Sequence, residues 1–388
     1  MSRCGAWNLA LGLLLSGSAG LLASPNSPVS TLAVGLLVPA EPGEALSLRQ
    51  GATLGIEHAN QDPGAKARLV VRGRPGQWGT EGDEAAALAL EDEAAGVITP
   101  SGGTAAHQVL QVAGRTRLPV VSLCPDASVT KAGVPWAVRI VPSNDEEARA
   151  IFIGLGASAV GIKPLFWAAL VPPDRSGREA AHDLKNAALA AGCQLREPVQ
   201  RSAATDDFKV QVEQLLADRP DGVLLWTEPG TAGELARALR QAGFAGCLAG
   251  PGRLTSDSFL RHAGTAAEGL ILPILSFKPR AGASGNDFAD EYRIRFSAPP
   301  DPLAIMAHDA ALLLVHVLRN SDPDFSYRQF PLQETIAGAS GPIRFDKSGN
   351  RVASLTLVVC EGGRFKPLAD AGFSREDSKA SKPTRPLP

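Results

Sequence analysis

The sequence predicts an α/β fold with parallel sheets arranged in two lobes. Short apolar runs alternate with helix-period segments from Thr31 to Ser128, the pattern of strands covered by helices on both faces. The alternation restarts after a polar break at Pro142–Glu147, and a third section from Gly269 adds two helical patterns, a strand with a tight turn and a hairpin. Two alternations followed by a return segment predict lobes joined by several crossings, with a cleft suited to hinge closure between them.

The elements follow in order. Thr31–Val38 is a buried strand, Pro39–Ser47 a loop and Arg49–Asn60 a helix; Arg68–Val71 is the second strand, and Gly73–Gly79 a Gly-rich turn. An Ala-rich helix, Glu84–Ala95, leads to the strand Val97–Thr99 and a loop of small residues, Pro100–Thr104. Ala106, Val109, Leu110 and Ala113 then fall on one helical face, with Gly114 as the stop. The strand Val120–Ser122 exits into the polar loop Leu123–Ser128. Loops after parallel strands gather at one sheet edge, where ligands bind, so Ser101, Thr104 and Cys124 become candidate ligand-facing residues.

In the second alternation, Trp136–Val141 leads to a helix capped by Ser143 or Asn144, with acids in its first turn. Leu165–Val171 is a strand, Pro172–Gly177 a loop, and Ala181, Leu184 and Ala188 mark the next helix. The short strand Gln194–Pro198 precedes a helix bearing Phe208, Val212 and Leu215, and Val223–Trp226 is a strand ending in the loop Thr227–Gly230. A stripe at Leu235, Ala238 and Leu239 leads to the strand Leu248–Ala249 and its exit loop Gly250–Ser256. Gly269–Leu275 is extended, Asp287–Phe296 and Pro302–Leu318 are helices, and Pro302 suits a first turn. Pro342–Asn350 reads as strand plus turn, and Leu355–Val359 with Phe365–Leu368 as a hairpin.

With 388 residues, 44% hydrophobic and 20% charged, the chain is globular and long enough for two domains. A net charge of −2 without a long basic block gives nucleic-acid binding no electrostatic support, and 5% aromatics argues against a stacking platform for single strands. The first 24 residues run from Arg3 through an apolar segment, Ala6–Leu15, to the small residues Ser16–Ala19, the order of a signal peptide cleaved within Ala19–Ser24. A membrane anchor is the competing reading, but Gly12, Ser16, Gly17, Ser18 and Gly20 dilute the run. No other segment reads as long and apolar enough to cross a membrane. Cys124, Cys193, Cys247 and Cys360 form no metal pattern and require no disulfide framework; Cys193 and Cys247 read as small buried residues.

A search for catalysis finds no G-x-S-x-G elbow, P-loop or H-E-x-x-H. Gly154–Ala159 matches a dinucleotide-binding fingerprint but follows a helix, so it reads as a helix stop and loop. The six histidines are scattered over helices and read as surface or half-buried residues. Helix-start electrostatics accounts for Asp145, Glu146 and Glu147. No cofactor or metal is implied.

Several segments in order resemble the type I periplasmic solute-binding proteins of the leucine/isoleucine/valine class, receptors of branched-chain amino acid ABC transporters. They are LAVGLLVP at Leu32–Pro39, RQGATLGIEHAN at Arg49–Asn60, GVITPSGGT at Gly96–Thr104 and LPVVSLCPDASVT at Leu118–Thr130. VRIVPSND at Val138–Asp145, AAEGLILP at Ala266–Pro273 and, most distinctive, SGPIRFDKSGNRV at Ser340–Val352 continue the series. The resemblance implies two Rossmann-like lobes with three interlobe crossings, a periplasmic location, a small-molecule ligand in the cleft and a membrane permease as partner. It implies no enzyme activity, and a monomer is expected. Expected boundaries are a signal peptide at 1–24, one lobe at 25–142 and 273–338, the other at 143–272 and 339–368, and a disordered tail at 369–388.

The resemblance also assigns a candidate site. The family's carboxylate-binding serine falls at Gly103, its threonine grip at Asp126, the tyrosine of its D-x-x-Y-G loop at Ser176, and two further aromatic positions at Glu44 and Glu228. Its ammonium-binding acid is missing from Gly250–Arg253, where Arg253 stands instead. An α-amino acid needs donors and an acid together in a partly desolvated cleft, so these changes point away from leucine or valine. Glu44, Asp126 and Glu228 favour a cationic or hydroxyl-rich ligand, whereas Arg175 and Arg253 favour an acidic one. The leading expectation is an uptake receptor; a ligand sensor signalling to a protein partner on the same fold is the alternative, and an enzyme on this scaffold the third.

Overall fold

A computed structural model describes residues 31–73, 79–157, 165–201, 208–275 and 286–373. The expected signal peptide, most of the Gly73–Gly79 turn and the tail beyond residue 373 lie outside the described residues.

The first sheet comprises β1 (Leu32–Leu37), β2 (Ala67–Arg72), β3 (Gly96–Thr99), β4 (Val120–Ser122) and β5 (Ala137–Arg139). They lie in the order β2-β1-β3-β4-β5 with every neighbouring pair parallel. α1 (Pro42–Ala59) covers one face, and α2 (Glu81–Leu90) with α3 (Gly103–Thr116) covers the other. Burial on both faces explains why these strands are apolar runs without alternation.

The second lobe begins with α4 (Asn144–Ala157), β6 (Phe166–Val171), α5 (Arg175–Ala190), β7 (Gln194–Leu195) and β8 (Val199–Gln200). α6 (Lys209–Leu216), β9 (Gly222–Leu225), α7 (Pro229–Gln241), β10 (Cys247–Ala249), α8 (Asp257–Ala263) and β11 (Ile271–Leu275) follow. The return section holds α9 (Asn286–Phe296), α10 (Pro302–Arg319), the small pair β12 (Ile336–Gly338) and β13 (Gly341–Ile343), and the hairpin β14 (Leu355–Glu361) and β15 (Arg364–Phe373). The second sheet runs β7-β6-β9-β10-β11-β14-β15, parallel through β11 and antiparallel for the hairpin, with β8 also pairing β6. The chain therefore passes between sheets after β5, after β11 and between β13 and β14.

Local chemistry moves several element ends from where the sequence alone puts them. α1 begins at Pro42, inside the expected loop, because the Glu41 carboxylate caps it, accepting the Gly43 N–H at 3.0 Å and also the Glu44 N–H. α5 likewise begins inside an expected loop, with Asp174 accepting the Gly177 N–H at 3.1 Å. α2 stops at Leu90, short of Ala95, and Glu93 takes a positive φ of 53°. α3 passes through Gly114 to Thr116, with Arg117 in the left-handed region at φ 57°. α4 continues through Gly154 to Ala157 in place of the expected stop.

Other corrections concern packing. α10, with a mean hydropathy of 1.4 over 18 residues, is long and apolar enough to cross a membrane by length and composition; it is instead a core helix lying against α1. Pro273–Leu275 stays in the second sheet beyond the expected boundary, while Ile343 and Phe345 join the first lobe's core. β15 extends to Phe373, into the expected tail. Cys193 and Cys247 are only half-buried, and the four described cysteines are free. The histidines are more engaged than expected: buried His308 lies 2.9 Å from His58 and 3.0 Å from Asp309.

Candidate ligand cleft between the lobes

In both sheets the strand order reverses, between β1 and β3 in the first and between β6 and β9 in the second. Loops leaving the carboxyl ends of such strands diverge and leave a crevice. Here the loops after β1, β3, β6 and β9 line one cavity of about 890 Å³, joined by the loops after β4 and β10. The volume lies within the usual small-molecule range. Pro142, Leu123, Trp226, Ile305, Met306 and Phe365 are among its apolar walls.

The polar groups are few and individually placed. Glu44, near the start of α1, reaches the β3 loop: its Oε1 accepts the Ser101 N–H at 3.2 Å and the Ser101 hydroxyl at 2.5 Å. Burial, with Glu228 adding repulsion, pushes its carboxyl up to about 7. Glu228 is the N-terminal flanking residue of α7 and belongs to the other lobe.

α4 supplies a second buried carboxylate. A capping box holds its start: Ser143 Oγ accepts the Glu146 N–H at 3.1 Å, and Glu146 Oε2 accepts the Ser143 N–H at 2.8 Å. Asn144 Oδ1 accepts the indole N–H of buried Trp226 at 3.0 Å. Glu147, 7% exposed, accepts the Gly252 N–H at 2.8 Å and so holds the loop after β10. Burial pushes Glu147 up to about 7 against the opposing pull of that hydrogen bond and of Arg253. Arg253 donates to the Thr227 carbonyl at 3.3 Å, and its buried Nε has no acceptor among the described residues.

At one edge the lobes touch. The Gly103 N–H donates to Ser176 Oγ at 3.1 Å, and Arg175 lies 3.3 Å from both His107 and Ser128 and 3.8 Å from Asp126. Asp126 is 3% exposed and accepts the Ser128 N–H at 2.8 Å. Burial opposes its charge, yet hydrogen bonds from His107 and Ser128 hold it down at about 2. Burial also pushes the Cys124 thiol up to about 12, leaving it neutral.

Of the residues singled out from sequence, Glu44, Ser101, Cys124, Asp126, Ser176, Glu228 and Arg253 line the cavity. Gly103 and Thr104 do not; the former is buried against Ser176 and the latter is exposed at the helix start. Asp126 lines the wall but is already bonded within the protein. Sequence reasoning missed Asn144, Glu147 and Trp226. Glu147 was legible in principle, because it shares a helical face with Ala150 and Ile151, both buried.

A family model described as periplasmic binding protein matches residues 33–351. The chain belongs to the type I periplasmic binding proteins. This family consists of solute-binding proteins and its members are extracytoplasmic. Among solved structures, a leucine-binding protein, LivK, from Thermotoga maritima is 17% identical with a TM-score of 0.78, covering 89% of this chain and 100% of its own. The isoleucine complex of LivJ from Streptococcus pneumoniae is 14% identical with a TM-score of 0.76, covering 89% and 99%. A solute-binding protein from R. palustris in complex with benzoate is 20% identical with a TM-score of 0.77, covering 89% and 97%. At these identities the three structures establish the periplasmic-binding-protein fold alone. No curated protein matches the chain.

Proposed function

We propose that this periplasmic binding protein is the extracytoplasmic receptor of an ABC-type uptake system, capturing a small polar solute by hinge closure and presenting it to a membrane permease. It acts as a monomer after removal of residues 1–24, and its ligand residues are drawn from Glu44, Ser101, Cys124, Asp126, Ser176, Glu228 and Arg253. The observation that carries this reading is the cavity of about 890 Å³ walled by the diverging loops of both sheets. The relatives of this fold described above are named for leucine, isoleucine and benzoate ligands, which supports a solute of that size. Thermal unfolding of the mature chain against amino acids, amines, amides, aromatic acids, polyamines and sugars tests it. A true ligand at a hundred times its Kd stabilises the folded form by about 2.7 kcal/mol. Silence across the panel refutes solute capture.

A further inference from the structure

We infer that the solute is an organic cation on an apolar body, its nitrogen held between Glu44 of the first lobe and Glu228 of the second. The inference rests on the receptor reading and assigns its ligand class. It follows from which carboxylates lining the cleft are already occupied.

Most acids lining the cavity are used by the protein itself. Glu41 and Asp174 cap helices, Asp126 is bonded to Ser128 and stands beside His107 and Arg175, and Glu147 holds the Gly252 N–H. Two arginines also line the cavity: Arg253 stands beside Glu147 and donates to the Thr227 carbonyl, with its Nε left over, and Arg201 has a partner of its own. Two carboxylates are left with spare acceptors. Glu44 spends only Oε1, on Ser101, and its Oε2 receives no donor among the described residues. The Glu228 carboxylate receives no side-chain or backbone donor among the described residues. They come from opposite lobes, line the same cavity and lie close enough to repel.

Closing a cleft over two like charges is unfavourable, and a cation between them reverses the sign. A carboxylate solute would add to the negative charge of Glu228, and to that of Glu44 wherever Glu44 has released its proton. A metal ion needs more oxygen ligands than this pair provides, and no group of three metal-ligating side chains occurs among the described residues. Apolar walls that include Trp226, Met306 and Phe365 suit a hydrocarbon or aromatic body. A protonated amine or amidine on such a body matches both features.

The pair also gives the binding a pH signature. Around Glu44 stand Glu228 from the facing lobe, Glu41 from its own helix cap, the Ser101 hydroxyl and the neutral Cys124 thiol. With its carboxyl near 7 in the empty cleft, Glu44 must release a proton to meet a cation. Amine affinity should then rise about tenfold between pH 6 and pH 8.

Isothermal titration of the mature chain with benzylamine and benzamidine, against benzoate and leucine, tests the assignment. An amine probe is expected to bind with that pH dependence and with proton release, read as an observed heat that varies linearly with the ionisation enthalpy of the buffer. Glu228→Gln, at an exposed position, should keep the melting temperature of the empty protein, weaken the amine about tenfold and move the pH transition downward. Glu44→Gln should abolish the pH transition. If neither amine binds, or if E228Q binds it unchanged, the inference fails. Binding of benzoate or leucine in place of the amines overturns the cation assignment while leaving the receptor reading intact; silence of the wider solute panel removes both.

Discussion

Replacing Glu147 by Gln should stabilise the empty protein at alkaline pH and leave it unchanged in mild acid. The carboxyl is nearly fully buried, and its pKa rises from 4.5 to about 7 in the fold. An acid with a raised folded pKa holds its proton in the native state after the unfolded chain has lost it. Stability therefore falls as pH rises from 4.5 towards 7 and is flat above that. A shift of this size corresponds to about 3 kcal/mol. Glutamine keeps an oxygen to accept the Gly252 N–H, now at 2.8 Å, but never charges. Urea unfolding of wild type and Glu147→Gln at pH 4 and pH 8 should give matching stabilities at the lower pH. At the higher pH the variant should lead by up to about 3 kcal/mol. A pH-independent difference, or a variant less stable at pH 8, would refute the view that a buried, desolvated carboxylate underlies the loop after β10.

Three further outcomes are expected. In Gly177→Ala the new Cβ would sit 1.8 Å from the Pro172 carbonyl oxygen, so the first turn of α5 must move; chemical denaturation should register a loss of about 1–3 kcal/mol. Arg175→Ala removes the contacts to His107, Ser128 and Asp126 from a partly exposed side chain. Unfolding stability should change by under about 0.5 kcal/mol, while small-angle scattering records a more open empty protein; unaltered scattering would exclude a closure role. Trp226→Phe deprives Asn144 Oδ1 of its buried donor and should cost about 1–3 kcal/mol in urea unfolding.

The candidate site was only partly readable along the chain. Ser101 was found because loops after parallel strands can be located from apolar runs, whereas Glu44, Glu228 and Arg253 were assigned only through the family resemblance; all four line the cavity. Gly103 and Thr104 were placed one step too far, since the helix after β3 starts at Gly103 and turns both away from the cavity wall. Asp126 looked available because its partners, His107 and Arg175, are distant in sequence. The helical face Glu147 shares with Ala150 and Ile151 points to its burial, but nothing local reveals that Gly252 lies above it.

By itself the sequence determined the architecture: repeated strand-and-helix periods, capping residues and the ordered family segments specify two parallel sheets and their return hairpin, since periodicity and caps act within a few residues. Only the tertiary structure decided which charges are spent and which face open space. Arg253 beside Glu147, Asp126 beside His107, and Glu44 opposite Glu228 are meetings of residues far apart in the chain. A side chain's charge state and free hydrogen-bonding capacity depend on such neighbours and on burial, neither of which is written in local order.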